Sequence, residues 1–533
     1  MTRDRAAWEP WCLLAIVALG AAVRWRMMGD GLDYDECQHF LVARSPLLAE
    51  FLRECRLRAH PPLAYLPIKL ILELGTTAAL AKLASLLSGL LGIVLSHVVL
   101  KHITGSRLAP LGGALLVALM PQLVAQSVEV RHYSLGLVFI WSSFALFVRI
   151  ARSGTVASPA AGADRWRDHL TLAVLQFLAI STIYSAAFHA LALSLVLYVP
   201  LAGTLGAQRQ WRRLFTLLAP QLLPALVTLL ALSLPFEASV ARYGHTGPYL
   251  YRGSFTDWRA ILYHSLQSIE RFLAANVPAP FGWAAGAAVL LGACLPAGPN
   301  LRARLARAIA IYGVLALLLS LLASLLGKFP LGGVPRHNLA IVPGLFLAAL
   351  LQFAAWLERL PHARLRLAAA ALLVAAFAAA LVTGLAPVLR DRENYDDPEL
   401  RWCAAEYARA PGPIVANWRG RSVISWWLLR RFEPRLVAQA ATGKQFQYDH
   451  VQVSEVLARE AVLATALAEC QRSGTCWIAL CDLPADLDEL HRTRASLAAA
   501  LAAEPGIDLA IDTIGKVRSS VLIMKLVRRS PQR

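Results

Sequence analysis

The run Ala78-Ala79-Leu80-Ala81-Lys82-Leu83-Ala84-Ser85-Leu86-Leu87-Ser88-Gly89-Leu90-Leu91-Gly92-Ile93-Val94-Leu95-Ser96-His97-Val98-Val99-Leu100 carries one lysine and one histidine among apolar and small residues. A helix needs about 20 apolar residues to cross the hydrocarbon core of a bilayer. This run is long enough and reads as a transmembrane helix. Similar runs lie on both sides of it: Trp11–Met28, Leu108–Gln126, Tyr133–Ile150, Leu170–Ala187, Phe188–Ala202, Leu214–Phe236, Phe281–Leu295, Leu305–Leu326, Leu339–Leu357 and Leu365–Val388. The expected fold is an α-helical polytopic membrane protein with about 11 transmembrane helices.

Composition agrees with that reading. Hydrophobic residues make up 57% of the 533-residue chain and charged residues only 16%, too few to cover a soluble protein of this size. The net charge of +18 would suit nucleic acid, but many basic residues flank apolar runs, where they set topology and meet anionic lipid. No nucleic-acid partner is expected. Trp11–Met28 lacks a small-residue cleavage site and ends in Arg24, Trp25 and Arg26, so it reads as a retained signal anchor. None of the eight cysteines forms a Cys-x-x-Cys pair, which argues against a zinc ribbon or a thioredoxin motif.

The long apolar stretch 170–202 is broken near Tyr184, Ser185 and His189 to form a hairpin. With that break and an inside N-terminus, every inner loop is basic. Examples are Lys101 and Arg107, then Arg209, Arg212 and Arg213, then Arg302, Arg304 and Arg307. The positive-inside rule requires this phase. Three outer segments follow: the loop 29–77, the segment Glu237–Pro280, and everything after about Arg390. The expected division is a membrane domain over 1–389 and a soluble extracytoplasmic α/β domain over 390–533. In the tail, apolar runs shorten to strand length at Pro413–Asn417, Thr475–Asp482 and Ile507–Ile514, with helical patterns at Glu399–Ala410 and Ser454–Cys470. A last strand, Val517–Val527, is expected to pair through a Gly515-Lys516 turn.

The loop 29–77 holds most of the chemistry. Asp33-Tyr34-Asp35-Glu36 follows Gly29-Asp30-Gly31, and His60-Pro61-Pro62-Leu63 comes later. Adjacent carboxylates repel, so a raised pKa is expected for at least one of them. Such a group can act as a general base toward a hydroxyl. An isolated Asp-Glu pair is more often a solvated helix cap, and His-Pro-Pro more often a helix start. Here both motifs share a loop with the amphipathic segment Leu47–Leu57, which reads as an interfacial helix. The next outer turn brings Glu129-Val130-Arg131-His132-Tyr133, and a later one brings Lys328, Arg336 and His337. Arg131 is a planar fork suited to phosphate, or else a snorkelling residue at a helix end. Acids from one loop and bases from two others would suit a lipid-phosphate substrate. Asp35, Glu36, His39 and His60 are also types that bind a divalent cation, and the residues leave metal undecided.

These motifs, in this order, resemble the GT-C glycosyltransferases, specifically the protein O-mannosyltransferase and aminoarabinose (lipid A) transferase branch. The resemblance rests on Asp35-Glu36, His60-Pro61-Pro62-Leu63-Ala64-Tyr65, Lys82–Leu91, Pro121, Glu129–Leu135 and Arg336-His337-Asn338-Leu339-Ala340-Ile341-Val342-Pro343. It covers roughly residues 11–150 and 336–345. Lys82 stands where the family usually has Arg, and Cys37-Gln38-His39 where Ala and aromatics are more usual.

The resemblance implies transfer of a sugar from a polyprenyl-phosphate donor to a protein, glycolipid or surface polymer of the cell envelope. Transfer would occur on the extracytoplasmic face of the inner membrane, with inversion. Asp35 would be the catalytic carboxylate and Glu36 its support. Arg131 would hold the donor phosphate or the carboxylates, and His60 would sit at the catalytic face. Lys328, Arg336 and His337 are further candidates for the donor phosphate. A lipid or polysaccharide transporter is the alternative. It is disfavoured because the spans carry few ionisable residues away from their ends, His97 and His189 being the main ones.

Overall fold

The computed structural model describes residues 8–28, 32, 34–45, 48–57, 61–75, 77–104, 108–152, 166–233, 255–276, 281–296, 300–329, 331–332, 335–359, 361–393, 398–417, 436–439, 445–448, 452–455, 460–482, 487–517 and 519–529. His60 lies outside them, as do Trp418, Trp426 and Trp427.

The chain is a polytopic membrane protein with a mixed sheet after its last apolar helix. The first helices are α1 (Trp8–Met27), α2 (Tyr34–Ala43), α3 (Leu48–Leu57), α4 (Leu66–Leu72), α5 (Ala78–Thr104), α6 (Leu108–Leu119), α7 (Pro121–Ser127) and α8 (Tyr133–Arg152). Next come α9 (Trp166–Ile180), α10 (Ala186–Ala207), α11 (Trp211–Leu218), α12 (Leu222–Ser233), α13 (Trp258–Asn276), α14 (Phe281–Cys294) and α15 (Leu301–Leu325). A 3-10 segment, Pro335–Ile341, leads into α16 (Val342–Glu358), and α17 (Ala363–Glu393) completes the apolar set.

Each expected span falls on a helix or helix pair, but not all of these cross by length alone. Among the described residues seven helices are long and apolar enough to span a membrane, or up to nine if each of two bent pairs is one span. The run 170–187 lands on α9, which has 15 residues. The run 214–236 is divided into α11, a 3-10 turn at Pro220 and α12, because proline supplies no N–H to continue a helix. Within Glu237–Pro280, expected as loop, lies α13, which pairs with α14 at 115°. The break in 170–202 falls at residues 181–185. Across it His169 Nδ1 meets the Tyr198 hydroxyl at 2.8 Å, and Gln176 Nε2 donates to the Ala190 carbonyl. These pairs run in opposite directions along α9 and α10, so the two helices form the expected hairpin.

The bundle core joins α5, α6, α8, α9, α10, α15 and α16 through residues such as Ile93, Trp141, Phe144, Leu193, Tyr312 and Leu347. Arg24, expected to flank α1, is instead buried within the bundle. It donates to Ser127 Oγ at 2.7 Å and to the carbonyls of Gly20 and Ala118 at 3.0 and 2.9 Å. The reason lies in the bend of 61° between α6 and α7. Pro121 starts α7, and Arg24 takes up the Ala118 carbonyl beside that bend.

After α17 come α18 (Pro398–Arg409), β1 (Ile414–Ala416), β2 (Leu436–Gln439), β3 (Gln445–Tyr448), β4 (Gln452–Glu455), α19 (Glu460–Ser473), β5 (Thr475–Asp482), α20 (Leu487–Ala502), β6 (Ile507–Val517) and β7 (Ser519–Arg528). The strands form one sheet in the order β2-β3-β4-β1-β5-β7-β6. β1 is parallel to β4 and β5, and the other pairings are antiparallel. Two expectations change here. Ser454 belongs to β4, so the helix expected from it starts later, as α19. The β6–β7 ladder continues through Gly515 and Lys516 to the pair Val517–Ser519, so the chain reverses beyond Gly515-Lys516.

One apolar cluster unites Cys37, Phe40 and Leu41 of α2 and Ile68 and Leu72 of α4 with the tail. Its tail members include Leu400, Cys403 and Tyr407 of α18, Ile414, Trp477, Val521 and Ile523. The tail therefore packs directly on the first loop.

Candidate functional site

The site forms where the first loop meets the bundle. α2 begins with Asp35 and Glu36 in its first turn, where carboxylates suit the positive end of the helix dipole. Cys37, Phe40 and Leu41 form the buried stripe at helical spacing. Gln38 and His39 are buried too, so the middle of α2 is enclosed on all sides. Lys69 of α4 caps its far end by donating to the Ala43 and Ser45 carbonyls at 3.3 and 2.8 Å.

α5 supplies one wall. Lys82, Ser85 and Gly89 lie on one face, at i, i+3 and i+7. Lys82 Nζ is 4.0 Å from Glu36 Oε1, with both side chains fully buried. Glu36 Oε1 also accepts from the Val130 N–H at 2.9 Å. Ser85 Oγ donates to the Arg131 carbonyl at 2.5 Å, and the Arg131 N–H lies 3.3 Å from the same oxygen. At Gly89 a Cβ would sit 2.4 Å from Ser127 Cβ, so a side chain there would push α7 away, and with it the turn 128–132.

That turn brings Arg131 to Asp35. The Arg131 guanidinium donates to Asp35 Oδ2 at 2.6 Å, and its Nε is 3.5 Å from Glu129 Oε2. Arg336, on the 3-10 segment before α16, donates to the same Asp35 oxygen at 2.9 Å. Two of the four basic turn residues expected near the acids, Arg131 and Arg336, thus meet Asp35. Lys328 is exposed on the turn after α15, and His337, next to Arg336, is partly exposed; neither pairs with Asp35.

Burial separates the charges into two groups. The side chains of Glu36, Lys82, Glu129 and Arg131 are at most 2% exposed, while Asp35 is 16% and Arg336 24% exposed. Four charges thus form a closed floor, and Asp35 with Arg336 forms its open edge. Among the described residues Asp35 Oδ1 accepts no side-chain hydrogen bond and remains available.

The pKa expectation is reversed at Asp35. Burial alone would raise its pKa, but Arg131 and Arg336 outweigh burial and hold the carboxyl well below the usual carboxylate range. Repulsion from Glu36 does not decide the matter because Glu36 faces Lys82.

A group of rings adjoins the carboxylates. His39 Nδ1 donates to the Asp35 carbonyl at 2.8 Å. Its ring stacks on His132 at 5.6 Å and lies 5.1 Å from Tyr65. Sequence reasoning assigned no role to Glu129, His132 or Tyr65. The signal was the charged stretch Glu129–His132 between two apolar helices, where buried ionisable residues have a function or a partner. Among the described residues no three His, Cys, Asp or Glu side chains group closely enough to hold a metal ion. The donor set does not fit one either, since Asp35 and Glu36 already face cations.

No protein-family model and no curated protein matches the chain. Among solved structures, the ArnT of Cupriavidus metallidurans in the apo state aligns with a TM-score of 0.53 and 15% identity, covering 97% of this chain and 98% of that one. The oligosaccharyltransferase of Archaeoglobus fulgidus aligns with a TM-score of 0.47 and 12% identity, covering 80% of this chain and 64% of its own. The first likeness shows that the chain shares the fold of that protein over nearly its whole length.

Proposed function

We propose that the chain is a membrane glycosyltransferase of the GT-C type. It moves a sugar from a polyprenyl-phosphate donor to an acceptor hydroxyl or phosphate, with inversion at the anomeric carbon. Fold alone does not specify chemistry. The observation that carries the reading is the meeting of Asp35 with Arg131 and Arg336, from segments 96 and 301 residues away, at one open edge.

In this reading the phosphate of the donor lies against Arg336, and its lipid tail lies between helices of the bundle. The acceptor oxygen attacks the anomeric carbon and the carbon–oxygen bond to phosphate breaks. Polyprenyl phosphate leaves with the electron pair, and Arg336 stabilises the charge that develops on it. Asp35 Oδ1 orients the acceptor and, for a hydroxyl, receives its proton. Glu36, Lys82, Glu129 and Arg131 hold Asp35 in place. Lys328 and His337 are assigned to the rim of the donor site, on the segment around Arg336. ArnT, an aminoarabinose transferase, is the neighbour whose chemistry fits this arrangement.

The end of the bundle that carries Asp35 is assigned to the extracytoplasmic side. The opposite helix ends carry Lys101, Arg149, Arg209, Arg212, Arg213, Arg302 and Arg304, as expected of a cytoplasmic face. Residues 390–533 then form an extracytoplasmic domain resting on the first loop.

The test is single-turnover transfer in nanodiscs from a panel of labelled polyprenyl-phosphate sugars, using wild type and Asp35→Asn of equal thermal stability. Wild type is expected to transfer or hydrolyse at least one donor, and Asp35→Asn to be slower by about 100-fold or more. Equal rates would remove Asp35 from the chemistry. Absence of both turnover and donor binding would favour transport.

A further inference from the structure

We infer that Arg336 is an exchangeable partner. It holds Asp35 while the donor site is empty and turns to the phosphate of the donor when the donor binds, leaving Asp35 with Arg131. The inference rests on the glycosyltransferase reading and adds a control step to it.

Three observations carry it. The first is charge balance. Asp35, Glu36 and Glu129 stand against Lys82, Arg131 and Arg336, so the empty site is already neutral in these groups. A bound phosphate adds negative charge that these six groups do not balance unless one of their cations turns to face it. The second is access. Arg336 is the most exposed of the three cations, at 24%, against 2% for Arg131 and 0% for Lys82.

The third is anchorage. The backbone of Arg131 is tied to Ser85 on both its N–H and its carbonyl side. Its guanidinium lies between Asp35 and Glu129. Arg336 sits on a single 3-10 segment, a weaker scaffold than an α-helix. A flexible side chain there can swing without moving a span.

The groups that face or adjoin Asp35 are Arg131 and Tyr133 from the turn into α8, Arg336 from the 3-10 segment, and His39 from its own helix. Glu36, Glu129, Lys82 and His132 stand behind them. Removing one guanidinium from Oδ2 makes the carboxylate more basic. Asp35 would therefore gain proton affinity only when a donor is in place. The idle site would hold a weak base, and the base would strengthen only when a donor is there to be attacked.

The experiment has an arm without turnover and an arm with it. The first is a structure of the full chain in nanodiscs with polyprenyl monophosphate. The expected result is an Arg336–Asp35 separation beyond hydrogen-bond distance, with the guanidinium on phosphate and Arg131 still on Asp35. A closed Arg336–Asp35 pair beside bound phosphate, or no binding at all, would overturn the proposal. Binding with an opened pair but no transfer from any donor would sink the glycosyltransferase reading and leave the exchange standing.

The second arm compares pH profiles of wild type and Arg336→Gln. The acid limb of kcat/KM reports the free enzyme, and that of kcat the donor complex. Arg336→Gln should move the first limb to higher pH and leave the second in place, with donor binding about 10- to 100-fold weaker. Equal movement of both limbs would show that Arg336 never leaves Asp35. If Arg336→Gln cannot be saturated, Arg336→Lys serves in its place, with the same two outcomes.

Discussion

Arg131, on the turn into α8, donates to Asp35 of α2 at 2.6 Å across 96 residues of sequence. The same guanidinium lies 3.5 Å from Glu129, so one cation serves two carboxylates in a nearly closed space. Removing it takes a cation from Glu129 and leaves Asp35 with Arg336 at the open edge. Arg131→Ala is expected to cost about 3–5 kcal/mol, and Arg131→Lys less, because a point charge remains but the planar fork does not. Thermal unfolding of both variants in the same nanodiscs checks this. Equal midpoints for wild type and Arg131→Ala would refute it.

The depressed pKa of Asp35 has a signed consequence for stability. A carboxyl whose folded pKa lies below its unfolded value stabilises the fold above the unfolded pKa, about 4, and loses that contribution as pH falls toward the folded value. The difference in thermal midpoint between wild type and Asp35→Asn should therefore stay flat from about pH 8 to 5 and shrink below about pH 4. A difference that changes near neutrality would point to another titrating group.

Arg24 is a buried cation whose partners are Ser127 Oγ and two carbonyls. It ties α1 to the bend that precedes the Glu129–His132 turn. Arg24→Ala should cost about 2–4 kcal/mol and reduce transfer along with stability. Arg24→Lys should restore part of both. Full transfer by Arg24→Ala at wild-type stability would mean that the bend holds without it.

Gly332 precedes the segment that carries Arg336. Its φ is +70°, and a Cβ there would lie 2.2 Å from the Ser268 carbonyl oxygen. Both the left-handed backbone and the contact exclude a side chain. Gly332→Ala should displace Arg336 and weaken transfer by about 10- to 100-fold. Gly474→Ala is the control, since Gly474 has a similar φ of +82° with open space around it. Equal transfer by the two variants would unlink Gly332 from the site.

The long apolar runs were the legible part of the fold. α5, α8, α15, α16 and α17 fall where hydropathy places them, because a helix in lipid shows its apolar character along its whole length. Hydropathy does not report where a run bends, so the proline-split segments α6–α7 and α11–α12 read as single spans. The strands β2, β3 and β4 have four residues each, too short and too polar for alternation to stand out.

At the site, Asp35, Glu36, Arg131 and Arg336 were legible as residues, but their pairing was not. Lys82 read as a departure from a family pattern, although in the fold it is the cation that faces Glu36. Arg24 read as a flanking charge. Both are paired with residues far along the chain, and no local pattern encodes such a partner.

The cluster that joins α2 to the tail also sets an order of assembly. α2 leaves the ribosome long before Val521 and Ile523, which complete its apolar packing. Until the final strands arrive, the helix that carries Asp35 lacks part of its core. An unfinished or truncated chain would therefore sit in the membrane with its bundle formed and its carboxylates unset. The tail in this sense acts as a completion check: the edge that carries Asp35 is fully packed only once β7 is in place.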